Sequence, residues 1–296
     1  MNIAKFFRVF SLGLVIVAAP LFIFAQKPEP QTAAQTAPKP LLKRVMTKGD
    51  SARFGVGGTV TILGAPRGSV TVIGWNKNEV AVTAEIELQA ETEADLALMA
   101  QVNGIVLDPG AVHLSVLTTG MHDKEYMKKN AKKFPKRLLT MPWKVDYVVY
   151  VPSYTDLEVT LGKGPLKISG VDGTMQLKAA ETDADLQFTG GSINAMFGGG
   201  NVNVSIANRS WRGRNLNVQM TTGNMKVTMP AEFNAEIDAS VLRTGEIQNS
   251  HPSFKERDER NKFTPKKINA RAGSGGALLT FVMGDGTIKF APPAAQ

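Results

Sequence analysis

The sequence predicts an all-β chain, a β-solenoid or β-roll of short strands with one flanking helix, and three observations lead there. A small unit recurs: a Gly, Asn or Asp, one residue, then two apolar side chains separated by one polar or small residue. It recurs at a near-fixed step, ten residues in a first series led by Gly58, Gly68 and Asn78 and mostly 7 to 11 in a second series. Apolar residues alternate with period two within each unit, as a strand with one buried face requires. An antiparallel β-sandwich is the alternative, because its strands also recur every ~8–12 residues. The uniformity of the unit favours a stacked architecture, in which each strand pairs with one a full turn earlier.

The elements follow in chain order. Lys5 and Arg8 precede an apolar run from Val9 to Phe24, and Ala25 leads into Gln26-Lys27-Pro28. A basic start, an apolar middle and a small residue at the cut make residues 1–25 a secretory signal peptide cleaved after Ala25. The run of 16 residues is shorter than the roughly 18–20 of a spanning helix. A bulky Ile23 near the cut leaves a retained membrane anchor as the alternative. Residues 26–42 hold Pro28, Pro30, Pro38 and Pro40 without apolar periodicity, which predicts an extended linker. Residues 43–292 form a single β-repeat domain, interrupted by inserts at 121–144 and 251–267.

In the first series Gly58 leads to Val60 and Ile62, Gly68 to Val70 and Val72, and Asn78 to Val80 and Val82. Thr92 then caps a helix with Asp95 in its first turn and Leu96, Met99 and Ala100 at i, i+3 and i+4. Such a helix covers a flank or end of the stack, where an open strand edge would invite aggregation. The second series opens at Gly164 with Leu166 and Ile168. It runs through Met175 and Leu177, Leu186 and Phe188, Ile193 and Ala195, Val202 and Val204, Leu216 and Val218, Met225 and Val227, to Ala235 and Ile237. A 14-residue step at Asn208 to Arg214 marks a bulged-out loop. Leu279 with Phe281 and Ile288 with Phe290 close the repeats. Gly, Asn and Asp between units supply the positive-φ positions that tight corners need.

Composition bounds the chemistry. No cysteine occurs, which excludes thiolate metal or redox chemistry and lipid attachment on Cys. A chain with 43% hydrophobic and 20% charged residues builds a core and is not disordered. Net charge is +8, but its placement is uneven. Without Lys5 and Arg8 the chain keeps 32 basic against 26 acidic residues, and residues 121–144 alone hold eight basic and two acidic ones. The rest is neutral, so the high pI belongs to one insert.

Within that insert Lys128, Lys129, Lys132, Lys133, Lys136 and Arg137 are candidate anionic-surface binding residues. In a helix the lysines would gather on one cationic face, attracted to lipopolysaccharide, phospholipid heads or nucleic acid and weakened by salt, with a solvated, mobile loop as the competing reading. Trp211, Arg212 and Arg214 are candidate glycan-stacking residues through their indole and guanidinium faces. Trp211 folded back over the core is the competing reading. The second insert, with Lys255-Glu256-Arg257-Asp258-Glu259-Arg260, reads as a self-paired exposed loop.

The other candidates carry no catalytic signature. His113, His122 and His251 stand at no metal or triad spacing and read as surface or strand-edge residues. Asp183 and Asp185, after Glu181, occupy a turn and an outward strand position, where calcium binding would need several convergent oxygens. Gly198-Gly199-Gly200 and Gly273-Ser274-Gly275-Gly276 lack the Lys-Ser/Thr of a phosphate loop and read as corners.

The strand Val145-Asp146-Tyr147-Val148-Val149-Tyr150-Val151-Pro152, followed by Leu157-Glu158-Val159 and the repeat from Gly164, resembles the bacterial putative-adhesin family. Thr221-Thr222-Gly223-Asn224-Met225 is similar to that family's recurrent turn. The resemblance spans roughly residues 55–290. It implies an envelope β-solenoid or β-roll and brings no catalytic residues, while the long basic insert departs from the family pattern. The chain is therefore expected to be an exported, non-enzymatic adhesin-like or scaffolding protein of the cell envelope, periplasmic, outer-membrane-associated or secreted. Its expected partner is an envelope or extracellular polymer or protein, with no cofactor, no metal and no specific nucleic acid. The alternatives are a carbohydrate-active β-helix enzyme and an electrostatic binder of anionic envelope polymers.

Overall fold

A computed structural model describes residues 40–293 except Ala111 and Glu259. The signal segment and all but the last residues of the linker lie outside them. The strands Leu42–Arg53 (β1), Thr59–Leu63 (β2), Val70–Trp75 (β3) and Glu79–Ala90 (β4) precede the helix Glu93–Val102 (α1). Gly104–Pro109 (β5) and His113–Thr119 (β6) lead into the short helix Lys124–Asn130 (α2) and a 3-10 turn at Lys136–Thr140. Trp143–Pro152 (β7), Asp156–Lys163 (β8) and Leu166–Ser169 (β9) follow. Three long strands come next: Thr174–Phe188 (β10), Gly190–Ile206 (β11) and Arg212–Thr228 (β12). Ala235–Val241 (β13), Gly245–Asn249 (β14), Phe254–Glu256 (β15), Lys267–Ala272 (β16) and Leu278–Ala291 (β17) complete the described chain. The fold is all-β, as the periodicity predicts, and its strands join one mixed sheet.

Every apolar pair of the predicted units is buried. The units combine in twos. In β10 the buried residues run Met175, Leu177, Ala179, then Thr182, Ala184, Leu186, Phe188, with Ala180 and Glu181 both exposed between them. That slip of phase is a bend. The two halves of each long strand face one core: Phe281 and Phe290, from the two halves of β17, touch with ring centroids 5.4 Å apart.

Parallel pairing carries the centre. Met175 pairs with Leu157 on one side and Ile193 on the other, Ile193 with Leu216, and Leu216 with Leu279. Past the bend Ala184 pairs with Leu166 and Val202, Val202 with Met225, and Met225 with Ile288. One level on the next is therefore 18 residues, as Met175 to Ile193 shows, and neighbouring levels lie about 4.8 Å apart. The loop at Asn208 to Arg214 lengthens a single step, Ile193 pairing with Leu216.

Chain order and spatial order differ at both ends. β2 and β3 sit between β6 with β7 and β8 with β9, and β17 sits between β12 and β13 with β14. Antiparallel pairs occur only at the flanks. β5 lies on β6, β4 on β7 and β1 on β4 at one end, and β16 lies on β13 and β15 on β16 at the other. The Val80 and Val82 unit, expected to continue the stack, belongs to that antiparallel flank. α1 forms where Thr92 predicts it, the Thr92 hydroxyl accepting from the Asp95 amide at 3.1 Å and Leu96 and Met99 fully buried.

The bends depend on a column of close backbone contacts. Thr182, Gly200, Gly223, Gly286 and Gly245 stand in register across successive levels. A Cβ on Gly200 would lie 1.9 Å from the Thr182 carbonyl oxygen, and Gly200 has φ +118°. Thr182 fits the same column by another route: its hydroxyl donates to the Gly164 carbonyl at 2.6 Å.

Candidate functional site

Just before each bend one outward residue per level forms a row. Thr160, Lys178, Met196, Gln219 and Val282 line up through the register of β8, β10, β11, β12 and β17. The small bend residues Ala180, Gly198, Thr221 and Gly284 leave a hollow beside that row. The result is a groove of about 620 Å³ crossing the strands, about 20 Å long at the spacing of paired strands. Met196 and Leu242, 41% and 66% exposed, present apolar surface to it. Lys178 and Arg243 also line it. Arg243 is fixed by Asp285, its Nε donating to Oδ2 at 2.9 Å, and that guanidinium holds the Asp285 carboxyl below the usual carboxylate range.

Amide ladders flank the groove. On the first halves Asn194 donates to Gln176 at 3.2 Å and Asn217 to Asn194 at 3.1 Å. On the second halves Asn201 donates to Asp183 at 2.9 Å and Asn224 to Asn201 at 3.1 Å. Each amide donates to the rung before it, stiffening the outer surface, and the first ladder ends on the buried Asn217 Oδ1, which has no partner among the described residues. Asp183 and Asp185 are both outward strand residues here, and the bend that the turn at Asp183 anticipated lies at Ala180 and Glu181. Among the described residues no group of three or more His, Asp or Glu gathers at metal-binding distance.

The basic insert is not one cationic helix. α2 ends at Asn130, so it holds Lys128 and Lys129 alone of the six candidates; Lys132 and Lys133 lie in the following segment, and Lys136 and Arg137 in the 3-10 turn. Pro135, which cannot donate an amide proton, breaks any continuation. Lys128 pairs with Glu125 at 2.7 Å. Arg137 is a structural tie: it grips buried Asp95 of α1 with two bonds, 2.8 and 2.6 Å. That guanidinium, with the Thr92 hydroxyl, holds the Asp95 carboxyl below its ordinary value against the effect of burial.

Trp211 does not offer a stacking face. It is 7% exposed, packs edge-on against Phe188 and donates Nε1 to the Gly191 carbonyl at 3.1 Å. Arg212 and Arg214 remain exposed beside it, Arg212 lying 3.8 Å from Asp172. The second insert is docked, not self-paired. Lys262 does bind Glu256, but Arg257 reaches Asp238 of β13 at 2.8 Å and Glu236 of the same strand.

Of the histidines, His113 is exposed with Thr61 Oγ1 3.3 Å away, and His122 packs on Trp143. His251 is buried, contrary to expectation. Its Nε2 faces the Met229 and Pro230 carbonyls at 3.2 and 3.0 Å, which requires a proton on Nε2, and Nδ1 then accepts from Ser253. Burial depresses its pKa, with the two carbonyls acting in the other direction. Sequence reasoning missed the groove. Its signals were Met196 and Val282, apolar residues at outward positions of the alternation.

No family model matches the chain, and no curated protein sequence matches it. Solved structures resemble it over most of their length. One, described as a putative cell adhesion protein from Clostridium sporogenes, is 12% identical with a TM-score of 0.43, covering 83% of this chain and 100% of its own. A putative adhesin from Bacteroides fragilis is 12% identical, TM-score 0.39, over 84% of this chain and 97% of its own. A putative adhesin from Parabacteroides merdae is 10% identical, TM-score 0.27, over 84% and 96%.

Proposed function

We propose that the chain is an exported, non-enzymatic module of the cell envelope: a β-solenoid in adhesin-like form that holds an extended polymer or protein segment along its bends. The observation that carries this reading is the groove past Thr160, Lys178, Met196, Gln219 and Val282, which repeats one side-chain position at every level. A linear repeat of surface positions suits a linear ligand, with each level offering one contact. Export rests on the pattern of residues 1–25. The solenoid reading rests on the parallel 18-residue register, the bend in each long strand and the glycine column.

Retention on delipidated cell envelopes, which leaves the polymers and removes phospholipid, tests it. The full chain is expected to cosediment, and Met196→Glu with Leu242→Glu to lose retention while unfolding at the same temperature, because both side chains are exposed and such changes move stability by only ~0.5 kcal/mol. Unchanged retention of the double variant would remove the groove from the account. Release of unsaturated product from uronic-acid polymers with calcium would instead favour the enzymatic alternative.

A further inference from the structure

A second surface, independent of the groove, lies where the segment 129–135 passes α1. A cleft of about 760 Å³ opens there between Leu98, Gln101 and Val102 of the helix and Lys129, Lys132, Lys133, Phe134 and Pro135 of the segment. Its lining contains three lysines and no carboxylate. None of the three is in an ion pair among the described residues, whereas Lys128, Arg137 and Lys144 of the same insert all are. The apolar part of the lining is just as distinct: Leu98 is 37% exposed, and Phe134 is half-buried.

The walls are held in place. Arg137 ties the segment to Asp95 of α1, Leu138 and Met127 are buried, and the Phe134 amide donates to the Ala131 carbonyl at 3.0 Å. Uncompensated ammonium groups around an apolar cleft match a ligand that is anionic at one end and apolar at the other. A soluble polyanion would use the lysines and leave the cleft empty.

We propose that this cleft seats the chain on an anionic phospholipid membrane. The lysines contact headgroup phosphates, and Leu98 with Phe134 meets the first methylenes below them. Lysine stems suit this, since their methylenes lie along apolar surface while the ammonium stays with the phosphate.

Cosedimentation of the full chain with phosphatidylglycerol and phosphatidylcholine vesicles tests the assignment, the comparison being between variants that share the same N-terminal segment. The native chain is expected to prefer phosphatidylglycerol. Combined Lys129→Gln, Lys132→Gln and Lys133→Gln is expected to weaken that binding on the order of a hundredfold at low salt. Leu98→Ser is expected to weaken it severalfold while leaving retention on a soluble polyanion, dextran sulfate, unchanged. Equal binding to both vesicles, or no loss in the triple variant, would overturn the proposal. Loss in the triple variant with none in Leu98→Ser would overturn the amphiphilic assignment in favour of a plain cationic surface.

Discussion

At Gly200 the backbone φ of +118° and the Thr182 carbonyl, which an added Cβ would approach to 1.9 Å, leave room for hydrogen alone. Gly200→Ala is therefore expected to destabilise by about 3 kcal/mol, from strain plus overpacking. Gly55→Ala, where a Cβ meets nothing within 4 Å, should change stability by only ~0.5 kcal/mol. Urea midpoints of the two variants check the contrast. His251 gives a pH signature. A depressed folded-state pKa means the unfolded chain binds that proton more readily, so stability falls as pH drops from the ordinary histidine value of about 6.5 through the folded value. His251→Gln should flatten that part of a stability-versus-pH curve. Asp95 has the opposite sign of charge and a lower window: its contribution is present above the ordinary carboxylate range and lost as pH falls through its folded value. Arg137→Gln should move acid unfolding to higher pH. Neither environment was legible in the sequence. His251 sits in a polar stretch, and Arg137 meets a partner 42 positions away, so local pattern holds no trace of either contact.

The strands that carry a repeat unit were legible, because period-two alternation records burial directly, whereas β5, β14, β15 and β16 carry none and were not read. The partners of the legible strands were not. Alternation is the same for parallel and antiparallel pairing, and so Val80 and Val82 read as one more repeat although β4 runs antiparallel. β1 escaped notice for a related reason: its side chains are exposed or half-buried, and no apolar alternation marks it. The doubled unit does make a prediction of its own. Gly191 occupies the place of Gly173 one level on, so deleting residues 173–190 joins Asp172 to Gly191 with every side chain still facing as before. Such a variant should retain cooperative thermal unfolding with a lowered midpoint. Deleting the nine residues 173–181 instead keeps the alternation in phase, Ala184 falling where Met175 stood, but shifts every later half-strand to the other half of the stack, and its thermal midpoint should fall further than that of the 18-residue deletion.

At the scale of the whole molecule, two separate surfaces carry the two proposals. The groove crosses the central levels and offers Met196 and Leu242 together with Lys178 and Arg243. The cationic cleft lies to one flank, built by α1 and the insert that carries nearly all of the excess charge. The charge imbalance was visible in the sequence; its division into the paired Lys128, Arg137 and Lys144 and the three lysines of the cleft was not, since that depends on which carboxylates the fold brings near. A chain tethered at an anionic membrane through one surface would still present the other to a polymer. Both proposed roles require a chain exported from the cytoplasm, and cell fractionation with a C-terminally tagged full-length chain tests that most directly. The account predicts the tag in envelope or extracellular fractions on a chain shortened at its N-terminus after Ala25. Recovery of the untrimmed chain in the cytoplasm would contradict it.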